Sequence, residues 1–304
     1  MGKRLNFGPY SFEVTNLDKV LFPLSGITKG DLIAYYGRIA PTMLPHLRER
    51  PLMMQRFPDG IGEEGFYQKD VTSNFPDWIE RCEVRTVQGK RVTHVVCDKA
   101  ATLVYLAQEA TITPHIWLSR VDGLHYPDKL IFDLDPPDGD FDIVRKTAFI
   151  VKEYFERLGL VPFVMTTGSR GLHVVAPLNG DANFDQARAF ARKLAEEMVK
   201  EHPEELTVKQ HKAGRGKRLY LDINRNAYGQ TGVSPYAFRA RPGAPVATPL
   251  SWGELKRKDL GPRSYTIANI FRRLGRKADP FKDIYGHSRS LHDAMSAIEK
   301  SGRP

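Results

Sequence analysis

KLIFDLD, residues 129–135, is the stretch on which the interpretation of this chain depends. It is apolar apart from one lysine and two aspartates, and successive side chains of a strand point to opposite faces of a sheet. Its two leucines and its phenylalanine therefore share one face, which can pack into a core. Asp133 and Asp135 share the other face, about 6–7 Å apart along the backbone. Two carboxylates this close repel each other unless a cation or a proton lies between them, so the stretch predicts a strand with a polar site on one face.

A third aspartate follows the same pattern in RLYLDI, residues 218–223. Asp222 lies on the polar face of this second predicted strand, and the turn-forming residues NRN follow it. If the two strands are neighbours, three carboxylates come together. Such a group can hold two divalent ions about 3.5–4 Å apart, an arrangement that activates a 3′-hydroxyl group and stabilises a leaving pyrophosphate.

The acidic segment also has a purely structural interpretation. DPPDGD, residues 135–140, is typical of a solvated turn, and Asp138, Asp140 and Asp142 would then serve only that turn. A calcium-binding EF-hand loop is excluded, because the spacing breaks after Asp135 and no glutamate stands at the twelfth position. For the first two aspartates alone, a metal site and a solvated turn remain alternatives.

Strand-like and helix-like segments alternate along the chain, which indicates a mixed α/β or α+β fold. Thr28 is a good N-cap for the first helix, and Gly159 is a good C′ residue for the third. Helices are predicted over residues 29–44, 99–110, 141–160, 183–202 and 264–275. Strands are predicted as a strand, turn and strand within 50–70, and over 91–98, 129–135, 162–169, 172–178 and 218–223. A single domain over 1–304 is expected, with an N-terminal subdomain up to about residue 120 as the alternative.

The composition favours a soluble protein with a polyanionic partner. The 304 residues carry a net charge of +9 and a pI near 9.4, and no basic amphipathic helix points to a membrane surface, so nucleic acid is favoured. The alternative is a soluble protein that is basic overall and has no polyanionic partner. No apolar run reaches about 18 residues and no secretion signal opens the chain, so a membrane protein is not expected. Cys82 and Cys97 form no CxxC pair, which predicts a reduced, cytoplasmic protein without a disulfide or zinc site.

A glycine-bounded turn, GSRG at residues 168–171, separates two predicted strands. Its glycines let the backbone turn tightly and approach a ligand closely. Ser169 offers a hydroxyl group, Arg170 offers a planar charged group that suits phosphate, and His173 begins the next strand. The turn predicts phosphate binding. The alternative is an ordinary hairpin, in which the histidine ring is hydrogen-bonded within the protein and contacts no ligand. It is not a Walker loop, because no GK[ST] follows.

Two basic stretches come after this turn. KQHKAGRGKR, residues 209–218, carries five Lys and Arg residues and no acid, and it leads into the Asp222 strand. It could offset the carboxylates or grip a nucleic-acid backbone. Arg239 and Arg241 lie two residues apart, so they would share a face of an extended segment and could meet a triphosphate. Solvated surface residues are the alternative for both stretches.

In combination, these motifs resemble a known family. The order of D-x-D, then S-[KR]-G-x-H, then a lone aspartate on a strand is similar to the archaeo-eukaryotic primase superfamily. More closely, the chain resembles the polymerase domain of bacterial ligase D, which acts in nonhomologous end joining. The resemblance covers nearly the whole chain, in the segments NLDKVLFP, GITKGDLIAYY, FDLDP, GSRGLHVVAPL, LYLDINRN, SPYAFRARPGAPVATPLSW and ELKRKDL.

The resemblance implies a primase-like catalytic core with central, mostly antiparallel β-sheets flanked by helices. It implies a template-directed polymerase that fills gaps or extends broken DNA ends, prefers ribonucleotides, and uses two Mn²⁺ or Mg²⁺ ions with NTP or dNTP substrates. Its partners would be DNA with gaps or double-strand break ends, a DNA ligase and an end-binding repair protein. A primase that starts chains without a primer, and a noncatalytic module that binds DNA ends, remain the alternatives. No ligase or nuclease segment is expected, which leaves open a stand-alone polymerase or one domain of a larger protein.

The resemblance also implies roles for residues of the active site. The metal-binding catalytic residues would be Asp133, Asp135 and Asp222. The residues that bind the incoming nucleotide would be His115, Ser169, Arg170, Gly171, His173, Arg225 and Arg239. The histidine at position 115 would lie near the sugar, and it is the candidate contact for a 2′-hydroxyl group.

Four further residues would contact DNA. Lys19 and Lys29 match lysines that recognise the 5′-phosphate of the downstream strand, a compact dianion that two point charges can bind. Phe66 and Tyr67 resemble an aromatic pair that stacks on the template without reading its sequence. The alternatives are that the two lysines are ordinary surface residues and that the two aromatic residues belong to the core. The family often has a lysine in the strand after RERP, where this chain has glutamine followed by Arg56, so that a basic contact has either moved to Arg56 or been lost.

Overall fold

The computed structural model describes residues 2–137 and 139–301, so the predicted turn residue Asp138 lies outside the described part. The chain forms two compact units. The first unit comprises residues up to Trp117, Thr231–Ala247 and Tyr265–Lys277, and the second comprises Leu118–Gln230, Thr248–Ser264 and the residues from Ala278 onward. The chain therefore leaves the first unit three times and returns to it twice. The single domain over 1–304 stays a prediction.

The strands are short and distributed over the whole chain. In chain order they are β1 (Lys3–Phe7), β2 (Tyr10–Val14), β3 (Val20–Phe22), β4 (Ile27–Thr28), β5 (Leu52–Arg56), β6 (Phe66–Gln68), β7 (Arg81–Arg85), β8 (Arg91–Val95), β9 (Thr111–Trp117), β10 (Lys129–Asp135), β11 (Phe163–Thr166), β12 (Leu172–Pro177), β13 (Leu206–Thr207), β14 (Leu219–Asp222), β15 (Thr231–Val233) and β16 (Thr248–Leu250).

Three long helices and several short ones accompany these strands. They are α1 (Lys29–Leu47), α2 (Ala100–Gln108), α3 (Phe141–Arg157), α4 (Phe184–Glu201), α5 (Trp252–Leu255), α6 (Ile270–Leu274) and α7 (Leu291–Ser301). Single 3₁₀ turns lie at Lys212–Gly214, Asn224–Asn226 and Ile284–His287. Among the described residues, no helix is both long and apolar enough to cross a membrane.

The predicted helix ends are confirmed at α1 and α3. The Thr28 side chain accepts the Asp31 N–H at 3.2 Å, and the Asp31 carboxylate accepts the Thr28 N–H at 2.8 Å. This reciprocal capping box satisfies two N–H groups that a helix start leaves without partners. α3 is followed by Gly159 with a φ of +75°, which glycine adopts without strain. At its start, Asp140 accepts the Asp142 N–H at 2.8 Å, so two of the predicted turn aspartates begin this helix.

The largest described sheet of the first unit has the strand order β15-β9-β5-β6, and each pair is antiparallel. Three two-stranded antiparallel sheets, β1-β2, β3-β4 and β7-β8, lie in the same unit. Every residue of β9 is buried. This inner strand is not among the predicted strands, and it contains Pro114, a residue type that disfavours a central strand. The ring removes one N–H donor, but the Pro114 carbonyl accepts the Ser234 N–H at 3.2 Å. The strand therefore keeps a hydrogen bond to its neighbouring segment at this position.

The last part of the first unit differs from its prediction. α6 begins at Ile270, not near residue 264. The residues before it pair with another segment, because the Tyr265 carbonyl accepts the Val246 N–H at 2.9 Å. The Thr266 N–H then donates to the Asn269 side chain at 2.9 Å, which forms a turn where the helix was expected.

The sheet of the second unit has the strand order β13-β14-β10-β12-β11-β16. All of its pairs are antiparallel except β13 with β14. The leucine and phenylalanine face of β10 packs against α3, where the rings of Phe132 and Phe155 lie 5.5 Å apart between centroids. The opposite face of β10 carries the aspartates, so the predicted alternation is confirmed. The mixed α+β class with mostly antiparallel sheets is confirmed as well.

Candidate active site

Three aspartates lie on one face of the sheet in the second unit. β10 and β14 are neighbours, and Asp133 stands directly opposite Asp222. Asp135, two residues along β10, stands opposite Tyr220. Directly opposed residues share a face, with Cβ atoms about 4.5–5.5 Å apart. The prediction that the two aspartate-bearing strands are neighbours is therefore confirmed.

The three carboxylates line one cavity of about 520 Å³. Arg170, Tyr220, Asn224 and residues of the basic segment 209–218, among them Arg215, complete its walls. Small-molecule sites typically enclose roughly 300–1,000 Å³. The cavity is thus large enough for a small polar ligand, and it is lined by charges of both signs.

Asp133 is 9% exposed and is held by two cationic or polar side chains. His173 stands opposite it on β12, with Nε2 3.5 Å from Oδ1, and the Nε of Arg225 donates to Oδ2 at 3.2 Å. Burial alone would raise the pKa of this carboxyl group. His173 and Arg225 outweigh the effect of burial and hold the pKa of Asp133 well below its ordinary value of 3.8. Asp133 is therefore ionised at neutral pH.

Arg170 pairs with the second aspartate of β10. Its guanidinium lies 2.8 Å from the Asp135 carboxylate, and both side chains are about half exposed. An exposed ion pair of this kind stabilises the folded state by about 1 kcal/mol or less. Arg170 is therefore close to the carboxylates and only weakly held there.

The glycine turn lies directly against β10. A Cβ atom on Gly171 would stand 1.8 Å from the Leu134 carbonyl oxygen, so only glycine fits at this position. Gly168 has a φ of +65°, which also favours glycine. The Ser169 carbonyl accepts the Nε–H of Arg263 at 2.8 Å, which ties the turn to a second segment. At Gly171 the backbone therefore closely approaches the strand that carries Asp133 and Asp135, whereas the close approach to a ligand stays a prediction.

The two predicted DNA-binding lysines lie together in the first unit. The Lys29 N–H donates to the Lys19 carbonyl at 2.8 Å, and the Lys19 ammonium pairs with Asp59 at 2.6 Å. Burial lowers the pKa of the Lys29 amino group below 10.5. Glu109 opposes this effect, whereas the positive charges of Lys19 and Arg56 add to it. Three cations thus lie near one another, an arrangement that favours binding of an anion.

The predicted aromatic pair is exposed in the same unit. Phe66 is 47% and Tyr67 58% exposed, which is unusual for large aromatic side chains. The Tyr67 ring meets the buried His115 edge-on, with centroids 6.0 Å apart. The Arg56 guanidinium lies 5.5 Å from the Phe66 centroid and pairs with Glu109 at 2.9 Å. A basic side chain is therefore present in β5, beside an exposed aromatic surface.

Arg239 also belongs to the first unit. It lies in the irregular segment between β15 and β16, where its N–H donates to the Pro245 carbonyl at 2.8 Å. Of the predicted site residues, the structure brings together in the second unit Asp133, Asp135, Ser169, Arg170, Gly171, His173, Asp222 and Arg225. The first unit contains Lys19, Lys29, Phe66, Tyr67, His115 and Arg239.

Comparison with known families identifies this arrangement. The family model for LigD, primase-polymerase domain, matches residues 28–281. This chain belongs to that family. The chain is also similar in structure to the polymerase domain of Mycobacterium tuberculosis ligase D in complex with DNA, with a TM-score of 0.85 and 29% identity over 91% of this chain and 98% of that one.

Full-length relatives of the LigD primase-polymerase family are much longer. The multifunctional non-homologous end joining DNA repair protein LigD of Mycobacterium tuberculosis H37Rv is 32% identical over an alignment of 304 positions, which covers 94% of this chain and 40% of the relative. The bifunctional non-homologous end joining protein LigD of Bacillus subtilis is 28% identical over an alignment of 288 positions, which covers 94% of this chain and 46% of the relative. The chain thus spans less than half the length of these relatives.

In this LigD primase-polymerase family member, the turn Asn224–Asn226 holds the two aspartate strands in place. The Asn226 side chain accepts the Ile131 N–H at 2.8 Å and donates to the Ile131 carbonyl at 2.7 Å. These bonds fasten the turn after β14 to the backbone of β10. The neighbouring Arg225 reaches Asp133, as described above. The sequence predicts only a turn at these asparagines, although their position shortly after Asp222 is a signal of a role at the site.

The donor set fits a hard divalent ion by type. Carboxylate oxygens in a polar cavity are the ligands that Mg²⁺ and Mn²⁺ prefer. Within residues 2–137 and 139–301, however, no three His, Cys, Asp or Glu side chains are placed to hold one metal ion together. Asp133 and Asp135 instead form ion pairs with Arg225 and Arg170. The residues therefore fit divalent ions in chemistry and location, but they are engaged with other partners.

Proposed function

We propose that this chain is a metal-dependent, template-directed nucleotidyltransferase that fills gaps and extends broken DNA ends in nonhomologous end joining. The single observation that carries the proposal is the face of β10 and β14, where Asp133 opposes Asp222 and Asp135 lies in the same cavity. A protein that only binds DNA gains nothing from three carboxylates, because they repel a phosphate backbone. Membership of the LigD primase-polymerase family supports the same conclusion.

In this proposal, the three aspartates hold two Mn²⁺ or Mg²⁺ ions. Ions bound there would activate the attacking 3′-hydroxyl group and neutralise charge on the leaving pyrophosphate. His173 and Arg225 keep Asp133 ionised and fixed in orientation, so that this ligand is available at neutral pH. Binding of the ions would replace the guanidinium partners that the carboxylates have now.

The glycine turn is the proposed triphosphate site. The Ser169 hydroxyl and the Arg170 guanidinium lie on it, and the Gly171 backbone lies against β10. Arg170 is held to Asp135 by an exposed pair only, so it is available to a phosphate at little cost. Arg239 is proposed to serve the same triphosphate, and His115 to contact the ribose and its 2′-hydroxyl group.

DNA ends are the proposed polymer substrate. The net charge of +9 favours a polyanion, and a structural neighbour is a ligase D polymerase domain in complex with DNA. Phe66 and Tyr67 would stack on template bases. The relatives are named as non-homologous end joining proteins, which supports a role in that repair process. A DNA ligase and an end-binding repair protein as partners, and the cytoplasm as the location, are proposed from the resemblance alone.

Nucleotide addition to a gapped duplex tests this function. The expected result is template-directed addition that requires Mn²⁺ or Mg²⁺, is abolished by a chelator, and is more efficient with ribonucleotides than with deoxynucleotides. Products on unprimed single strands would instead favour a primase. Binding to DNA ends without any incorporation would leave only an end-binding module.

The lysine pair predicts how gaps are recognised. Lys19→Ala combined with Lys29→Ala should weaken binding to a gap with a 5′-phosphate by about 10–100-fold, because each charge-assisted contact contributes about 1.5–3 kcal/mol and the effects add incompletely. Binding to a gap with a 5′-hydroxyl should change much less. Fluorescence anisotropy at fixed salt measures both affinities.

Lys3→Ala combined with Lys90→Ala, two exposed lysines of the same unit, removes the same charge as a control. Equal losses on both gaps would refute the assignment.

A further inference from the structure

Asp222 is bound differently from the other two aspartates of the active site. Asp133 and Asp135 each pair with an arginine. Asp222 makes no ion pair within the part of the chain that the structure describes, and both of its hydrogen-bond donors come from Asn224. The backbone N–H and the side-chain Nδ2 of Asn224 each lie 2.8 Å from Oδ1 of Asp222. Oδ1 is thus doubly bound.

The orientation of the Asn224 amide follows from its surroundings. Its Nδ2 also donates to the Tyr220 hydroxyl at 3.1 Å, and its Oδ1 accepts from the Arg188 guanidinium at 3.4 Å. The reversed amide would place its oxygen against the Asp222 carboxylate and its NH₂ group against the Arg188 donor. Both contacts would be repulsive, so only one orientation is compatible with these neighbours. Asn224 is therefore fixed from three sides.

An amide orients a carboxylate without neutralising its charge. An arginine or lysine in place of Asn224 would compete with a metal ion for Asp222, and an aspartate would repel it. With Oδ1 committed to two neutral donors, Oδ2 has no hydrogen-bond partner among residues 2–137 and 139–301. Asp222 lines the same cavity as Asp133 and Asp135. Of the three carboxylates, it is the one that has no ion-pair partner among the described residues.

We propose that Asn224 is a positioning residue that holds Asp222 with one oxygen available to a divalent ion, so that Asp222 is the first of the three aspartates to bind it. This inference rests on the proposed function, because it requires a metal ion at the aspartates. It adds a residue that neither the motifs nor the resemblance singled out. Residues that orient metal ligands by hydrogen bonds typically change metal affinity by about 10–100-fold when they are removed.

Mn²⁺ binding by the whole chain without nucleotide tests this role, with calorimetry or the electron paramagnetic resonance of free Mn²⁺ as the readout. Asn224→Ala should weaken Mn²⁺ binding about tenfold or more. At saturating Mn²⁺ it should recover most of the wild-type rate of nucleotide addition, with an unchanged KM for the nucleotide. Asn179→Ala is the matched control, because that asparagine accepts the Asp181 N–H at 3.2 Å in a loop that does not line the cavity. Its Mn²⁺ affinity should equal that of the wild type.

The outcomes separate this inference from the proposed function. If the wild type binds Mn²⁺ and Asn224→Ala binds it equally well, the positioning role is overturned and the proposed function stands. If the wild type binds no Mn²⁺, the metal site and the inference both fail. Should Asn224→Ala not fold, as judged by its melting curve against Asn179→Ala, Asn224→Ser restores a small donor. The serine variant should then bind Mn²⁺ more weakly than the wild type, and equal binding would again overturn the role.

Discussion

Asp222→Asn should reduce the rate constant for nucleotide addition by about a thousandfold or more. The substitution keeps the shape of the side chain and removes one negative charge from the face of β10 and β14. Stabilisation of transition-state charge by bound metal ions amounts to several kcal/mol, which corresponds to at least that factor. Because Asp222 makes no ion pair with a described residue, no cation loses its partner, and the fold should persist.

Single-turnover addition to a gapped, 5′-phosphorylated duplex with saturating Mn²⁺ measures this effect. Asp259→Asn is the control for lost charge, because Asp259 is exposed and pairs only with Arg257 among the contacts of the second unit. That variant should react at the wild-type rate. An Asp222→Asn chain that retains even a tenth of the wild-type rate would be incompatible with a metal-binding role for Asp222.

Asp133→Ala should destabilise the fold as well as abolish activity. Removing one partner of a buried ion pair leaves the other charge uncompensated, which lowers the free energy of unfolding by about 3 kcal/mol. The estimate is at the lower end of the usual range because Arg225 is partly exposed and can turn to solvent. Urea unfolding at neutral pH, followed by circular dichroism, measures the loss, with Asp259→Asn again as the control.

The pH dependence of this loss has a definite sign. The pKa of Asp133 in the folded chain lies below its ordinary value of 3.8, so its contribution to stability is complete above that value. The contribution is lost as the pH falls below 3.8 toward the lower folded pKa. The stability difference between wild type and Asp133→Ala should therefore narrow when unfolding is measured near pH 3. A difference that is the same at pH 3 and pH 7 would argue against the ion pair as its cause.

The alternation of side chains predicted the most important feature of the fold. In β10 and β14, apolar residues on one face and aspartates on the other were enough to place the carboxylates at a sheet surface. The direct opposition of Asp133 and Asp222 depends on strand register, which turns and packing determine, and the sequence pattern does not contain it. The capping box at Thr28 was predictable because it depends on residues only three positions apart.

Features that depend on distant contacts were not predictable in the same way. β9 was missed because a local rule against proline was outweighed by pairing with β5 and β15 on its two sides. The pairing of Arg170 with Asp135 joins residues 35 positions apart, and that of Arg225 with Asp133 joins residues 92 apart. The motifs include all four residues, but they do not indicate that these residues form ion pairs with each other. Asn224 and Asn226 were passed over because a turn explained them sufficiently.

The position of Mn²⁺ in crystals grown with a nonhydrolysable nucleotide decides whether the three aspartates bind metal, because Mn²⁺ can be located by its anomalous scattering. We expect Mn²⁺ bonded to carboxylate oxygens of Asp133, Asp135 and Asp222, with the nucleotide phosphates beside the turn that carries Arg170. Nucleotide bound in the cavity with no Mn²⁺ on any of these three aspartates would contradict it.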